Sequence, residues 1–163
     1  MRPLANAHLM IRIENILTPG RSLVNVPGDS KKRVLEDIAN LIAREVPGMD
    51  VDTVLTSLVA REKLGSTGFG NGIAIPHCRL PGCEEPVSAV IHLTNPINFD
   101  AIDGAPVDLL FVLLVPQAAT DAHLELLRQI ASMLDRADVR ERLRSAKSGE
   151  ALYQVVLDVQ NGH

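Results

Sequence analysis

Aromatic residues are nearly absent: no tryptophan, one tyrosine and three phenylalanines among 163 residues. Any core must therefore be aliphatic, and the 46% hydrophobic content, mostly leucine, isoleucine, valine and alanine, supplies one. A chain of about 150 residues buries roughly 70% of its unfolded surface, which suits one stable domain. Cysteine is scarce too. Cys78 and Cys83 are the only two, too few for a disulfide framework and no zinc signature. A metal site drawn from His77, Cys78, Cys83 and His92 would match no standard ligand spacing. Free thiols in a reducing compartment are the better reading. No run of about 18 apolar residues could span a membrane, and Met1-Arg2-Pro3-Leu4 opens no apolar stretch of signal-peptide length. A cytoplasmic location is expected. The net charge is −4 and the densest basic cluster is Lys31-Lys32-Arg33, which argues against nucleic acid, whose binding rests on phosphate neutralisation. An acidic balance fits a basic protein partner, and equally simple solubility.

Glycine, by contrast, is concentrated. The segment Arg61 to Arg79 reads R-E-K-L-G-S-T-G-F-G-N-G-I-A-I-P-H-C-R, with Gly65, Gly68, Gly70 and Gly72 close together. Pro76 stands directly before His77. Glycine permits close backbone approach, and proline fixes its own φ while pushing its predecessor toward extended geometry. A polar, backbone-rich loop with a cation at Arg61 suits an anion better than an apolar ligand. Known nucleotide loops do not fit. After Gly65 and Gly70 the Walker pattern needs Lys and Ser/Thr, where Asn71-Gly72 stand, and the dinucleotide fingerprint needs Gly or Ala at Ile73. Composition alone allows a flexible turn beside a structural histidine equally well.

Strands and helices interleave, which predicts a single α/β domain over residues 13–160 behind a flexible lead-in over 1–12. A turn or short helix is expected at Ile13–Leu17 and a strand at Ser22–Val26. Ser30 is placed to cap a helix running to about Val46, with Val34, Leu35, Ile38, Leu41 and Ile42 on its apolar face. A second helix over Asp52–Glu62 brings Arg61 to the glycine loop. Strands are expected at Ile73–Ile75, Val87–Leu93 and Val107–Val115, the last apolar enough to be buried on both faces. Helices follow from Thr120, with Leu124, Leu127, Ala131 and Leu134 as a stripe, and over Asp138–Arg144 and Ser148–Val159. No repeat or low-complexity segment interrupts the pattern. His77 then lies beyond one strand and His123 beyond another, where ligands of α/β sheets usually bind. His123 falls in the first turn of its helix, near unpaired N–H groups and a partial positive charge. Its spacing with Leu127, Ile130 and Leu134 fits an ordinary edge-of-core histidine as well.

The string R-E-K-x-G-S-T-G-x-G-N-G-I-A-I-P-H resembles the active-site segment of the enzyme IIA components of the bacterial phosphotransferase system. Within the mannitol/fructose/nitrogen superfamily it is most similar to the nitrogen-regulatory branch. The similarity runs from Ile13-Glu14-Asn15-Ile16-Leu17 to the C-terminal helices. It implies the mixed β-sheet flanked by helices of the mannitol/nitrogen-type enzyme IIA. It also implies that His77 accepts a phosphoryl group from an HPr-like phosphohistidine carrier. One departure is Cys78, where members usually carry glycine; a side chain there would crowd a docking partner.

The resemblance assigns His123 as a hydrogen-bond donor to the phosphoryl oxygens, since a second histidine in this context accompanies the acceptor. Arg61 would add charge-assisted donors, or act simply as a helix C-terminal cation. Ser66, Thr67 and nearby amides would complete a phosphate cradle. Attack through Nε2 would favour a hydrogen bond fixing Nδ1–H, and catalysis would rest on positioning and electrostatics without metal or nucleotide. Phe69, Leu80 and Ile75 are candidates for an apolar rim excluding water. The expected role is a regulatory phosphocarrier whose two forms bind different protein targets, such as potassium-transport or sensor-kinase components. Two alternatives stay open: a sugar-specific enzyme IIA passing phosphoryl to an enzyme IIB, and a binding module of the same fold without phosphotransfer.

Overall fold

A computed structural model describes residues 11–118 and 120–163. Most of the anticipated lead-in, residues 1–10, lies outside the described residues. A 3-10 turn at Ile13–Asn15 and another at Pro19–Arg21 precede β1 (Ser22–Val26). Helix α1 (Lys31–Glu45) starts where Ser30 Oγ accepts the Arg33 N–H at 3.1 Å, and α2 (Val51–Leu64) where Asp50 does the same for Thr53 at 3.0 Å. A side-chain acceptor at this position satisfies one of the N–H groups that a helix start leaves unpaired. The chain then forms β2 (Gly68–Gly70), β3 (Ile73–Ala74), β4 (His77–Leu80), β5 (Val87–Ile97) and β6 (Val107–Pro116). Three helices complete it: α3 (Asp121–Leu134), α4 (Ala137–Ser145) and α5 (Gly149–Gln160).

The six strands form one mixed sheet in the order β1-β5-β6-β3-β2, with β4 also paired to β6. As its apolar sequence required, β6 is central, and its alternate residues feed two cores. Leu110, Val112 and Leu114 face Ile38, Ile42, Val54 and Leu58 of α1 and α2. Leu109, Phe111, Leu113 and Val115 face Leu126, Ile130 and the helices after them. This two-sided aliphatic packing replaces the aromatic residues that the chain lacks.

The glycine loop is more ordered than its composition suggests. Asn71 and Gly72, both at positive φ (59° and 80°), form the two-residue turn of a β2–β3 hairpin, the geometry that Asn-Gly favours. Strands β3 and β4 lie along the same edge of β6 in one unbroken register. Ile73 pairs with Leu109 and His77 with Leu113, the same offset in both cases. Pro76, with no N–H to give, interrupts what would otherwise be a single strand. His77 therefore lies beyond β3, as expected, but opens a further strand that residue patterns did not reveal. The α3 stripe also differs: Ala122, Leu126, Ile130, Met133 and Leu134 are buried, while Leu124 is 59% exposed.

Candidate active site

Strand geometry decides which way His77 faces. Paired residues of neighbouring strands share a face, so His77 and Arg79 stand with Leu113 and Val115 on the α3 side. Cys78 turns to the other face and is buried there among α1 and α2 residues. Its thiol is pushed up to about 12, first by burial and then by Cys83, so it stays protonated and packs as a small apolar group. Cys78 also reaches the lining of the cleft beside His77. Among the described residues β4 pairs only with β6; the end of α2 packs against it on the other side, bringing Arg61 and Leu64 to the same place. His77, His123, Arg61, Arg79, Leu64 and Leu124 line one cleft of about 510 Å³.

The peptide of Ile75 is the hinge of the site. Its N–H donates to the Thr67 carbonyl at 3.0 Å, and its carbonyl lies 2.6 Å from His77 Nδ1. A carbonyl only accepts, so Nδ1 carries the proton and Nε2 keeps its lone pair. Burial holds the His77 pKa below the ordinary value of about 6.5; the Ile75 bond opposes this, Arg61 lowers it further and Glu62 raises it. The ring is therefore neutral near pH 7, with a free Nε2.

His123 has the opposite arrangement. It is the third residue of α3, and its Nδ1 accepts the Thr120 N–H at 2.9 Å. This is the position that Glu or Gln takes in a capping box. With Nδ1 accepting, the proton of the neutral ring sits on Nε2, and burial lowers this pKa as well. One cleft thus contains two neutral imidazoles in opposite tautomers, one with its Nε2 lone pair free and one with a proton on Nε2.

Arg61, in the last turn of α2, donates from Nη1 to the Gly65 carbonyl at 2.8 Å. It caps the helix and also places its charge where His77 feels it. Ser66 and Thr67 are placed differently from the expected cradle. Ser66 Oγ donates to the Phe99 carbonyl at 2.6 Å and accepts the Gly68 N–H at 2.9 Å. Thr67 is buried, with its N–H 3.1 Å from Glu62 Oε1 and its hydroxyl donating to Glu62 Oε2. Both hydroxyls are used inside the loop, and neither residue lines the cleft. The apolar rim also differs: Ile75 and Leu80 are buried, and Phe69 stands away from the cleft. Leu64, 85% exposed, and Leu124 form the rim instead. Sequence reasoning missed Arg79 and Asp121, which also line the cleft. Alternation along β4 would have put Arg79 beside His77, had that four-residue strand been visible in the pattern.

A mixed sheet between two helical layers, with a histidine pair in a cleft at one edge, defines an enzyme IIA-type fold. Residues 15–159 match the family described as "Phosphoenolpyruvate-dependent sugar phosphotransferase system, EIIA 2". The chain belongs to that family. A nitrogen regulatory protein of Pseudomonas aeruginosa is 78% identical over 153 residues, covering 94% of this chain and 99% of that protein. The crystal structure of the nitrogen regulatory protein IIA-Ntr from Neisseria meningitidis superposes with a TM-score of 0.83 at 40% identity, covering 88% of this chain and 98% of that one. IIA mannitol from Escherichia coli shares the fold, with a TM-score of 0.71 at 15% identity over 85% of this chain and 97% of that one. Among the described residues no helix is long and apolar enough to cross a membrane.

Proposed function

We propose that this protein is a regulatory phosphocarrier of the nitrogen branch, phosphorylated on Nε2 of His77 by an HPr-like phosphohistidine carrier. The observation that carries this reading is the pair of opposite tautomers. His77 Nδ1 bonds to the Ile75 carbonyl and His123 Nδ1 accepts from Thr120, in one cleft. The lone pair of His77 Nε2 attacks phosphorus, forming a new N–P bond, while the donor's N–P bond breaks and its electron pair returns to the donor imidazole. His77 keeps its Nδ1 proton throughout. Its ring gains positive charge, which the Ile75 carbonyl stabilises. The transition state spreads negative charge over the phosphoryl oxygens, where the His123 Nε2–H and Arg61 act as donors, with Arg79 a further cation in the cleft. Ser66 and Thr67 act on this reading as loop braces. The family and the regulatory relatives support a signalling output, in which phosphorylation changes charge at the cleft and so selects protein targets in the cytoplasm. Incubation with phosphoenolpyruvate, enzyme I and an HPr-like carrier, followed by intact-mass measurement, tests it. One acid-labile phosphoryl group is expected on the native chain and none on His77→Ala. No gain with any carrier would leave a binding module.

A further inference from the structure

Glu62 follows Arg61 in sequence and serves no step of the transfer described above. Its side chain is only 6% exposed, at the junction of α2, the glycine loop and α1. Three groups satisfy it: Lys31 Nζ at 3.0 Å, the Thr67 N–H at 3.1 Å and the Thr67 hydroxyl. From Thr67 the contacts continue in one direction. The Thr67 carbonyl accepts the Ile75 N–H at 3.0 Å, and the Ile75 carbonyl accepts the His77 Nδ1–H at 2.6 Å. Thr67 and Ile75 are each held at their own N–H and carbonyl, on successive peptide units, so the buried carboxylate is linked through two residues to the carbonyl that meets the His77 ring.

We propose that Glu62 is a positioning residue of the phosphoryl site, holding His77 in its Nδ1–H tautomer through Thr67 and the Ile75 peptide. This rests on the reading of His77 as the acceptor. Isolated imidazole can place its single proton on either nitrogen; only a fixed carbonyl at Nδ1 selects the form with Nε2 free. The Glu62 charge adds a second effect by favouring protonation of His77, against burial and Arg61. The charged or titratable groups around His77 at the cleft are Arg61, Cys78, Arg79, Asp121 and His123, with Glu62 and its partner Lys31 behind the loop. A purely structural Lys31–Glu62 pair tying α1 to α2 would affect stability and leave the ring alone.

The test compares Glu62→Ala, Glu62→Gln and Lys31→Met by ¹⁵N NMR of the histidine rings and by steady-state transfer from an HPr-like carrier. In Glu62→Ala a mixed His77 tautomer is expected, with kcat lowered about tenfold if the competent form falls to a tenth, and KM unchanged. Glu62→Gln keeps an acceptor for the Thr67 N–H. It is expected to retain the Nδ1–H tautomer and kcat within about twofold, with the His77 titration midpoint moved down. Lys31→Met is expected to melt earlier with tautomer and kcat unchanged. A wild-type tautomer and kcat in folded Glu62→Ala overturn the proposal. Should that variant not fold, Glu62→Asp, which withdraws the carboxylate from Thr67 by one methylene, decides: a native tautomer and native kcat there overturn it. The NMR measurement uses no carrier, so it still judges Glu62 if transfer to His77 itself fails.

Discussion

Replacing His123 by alanine removes one observed hydrogen bond and, on the proposed function, one phosphoryl donor, with separable consequences. The first is the bond from the Thr120 N–H to Nδ1 at 2.9 Å, one of the few partners available to the start of α3. Loss of such a cap costs about 1 kcal/mol, and a Tm decrease of about 2–4 °C is expected for a chain of this size. The second is the Nε2–H, which the proposed function directs at developing phosphoryl charge. Removing one preorganised donor from a water-excluded site lowers kcat by about 10²–10³-fold. This cleft is open, with Leu64 85% exposed at its rim, so the lower end, about 10²-fold, is expected. His123→Glu separates the effects. A glutamate at this position completes the capping box and restores Tm, but its carboxylate can only accept, and it repels the phosphoryl oxygens. Transfer should remain at least 10²-fold slow. Rapid-quench phosphorylation from a phosphorylated HPr-like carrier, beside thermal melts, reads both numbers. Native transfer rates in His123→Ala, or recovery of rate together with Tm in His123→Glu, would refute the assignment of His123 as donor.

Because burial lowers the His77 pKa, the ring should titrate by NMR with a midpoint below about 6.5, and the loss of transfer on acidification should follow that lowered midpoint. The same shift has a stability consequence: between the folded and unfolded pKa values the unfolded chain binds more protons, so stability falls as pH drops below about 6.5. Denaturant midpoints across pH 5–7 should differ between the native protein and His77→Gln in that sense. Arg61→Met removes the bond to the Gly65 carbonyl and the cation beside His77. Charge-assisted bonds contribute about 1.5–3 kcal/mol, so a kcat loss of roughly 10–100-fold is expected, with the His77 midpoint moving up. Leu64→Asp and Leu124→Asp alter exposed rim residues; a raised KM for the carrier with unchanged Tm is expected, and a Tm loss would instead mark them as structural. Gly68→Ala would put a Cβ 2.7 Å from the Ala101 Cα, an overpacking that costs about 1–3 kcal/mol, measurable by urea unfolding.

Much of the architecture was legible because it is written in local patterns. Ser30 and the apolar face of α1 announce a capped amphipathic helix, and Val107–Val115 announces a strand covered on both sides. His77 stood out through the glycines and Pro76 before it. Two short strands were not legible. Strands of three or four residues, β2 and β4, carry too little alternation to be read, although Asn71-Gly72 offered a hairpin signal that the surrounding glycines masked. On α3, leucines at 124, 126 and 127 allow more than one apolar stripe, and only packing against β6 chose the one through Leu126 and Ile130.

The amino-acid sequence by itself determined an aliphatic α/β sandwich and a histidine presented after a glycine-rich turn, since composition and local periodicity act over a few residues. The tertiary structure alone decided the chemistry of the cleft. Ser66 finds its acceptor 33 residues away at Phe99, Thr67 turns back to Glu62, and the strand pairing that spans His77 to Leu113 brings His123 alongside. Whether an imidazole is a nucleophile or a donor depends on which nitrogen meets a carbonyl and which meets an N–H. Those partners are set by how the backbone folds in space, which residue identity does not specify.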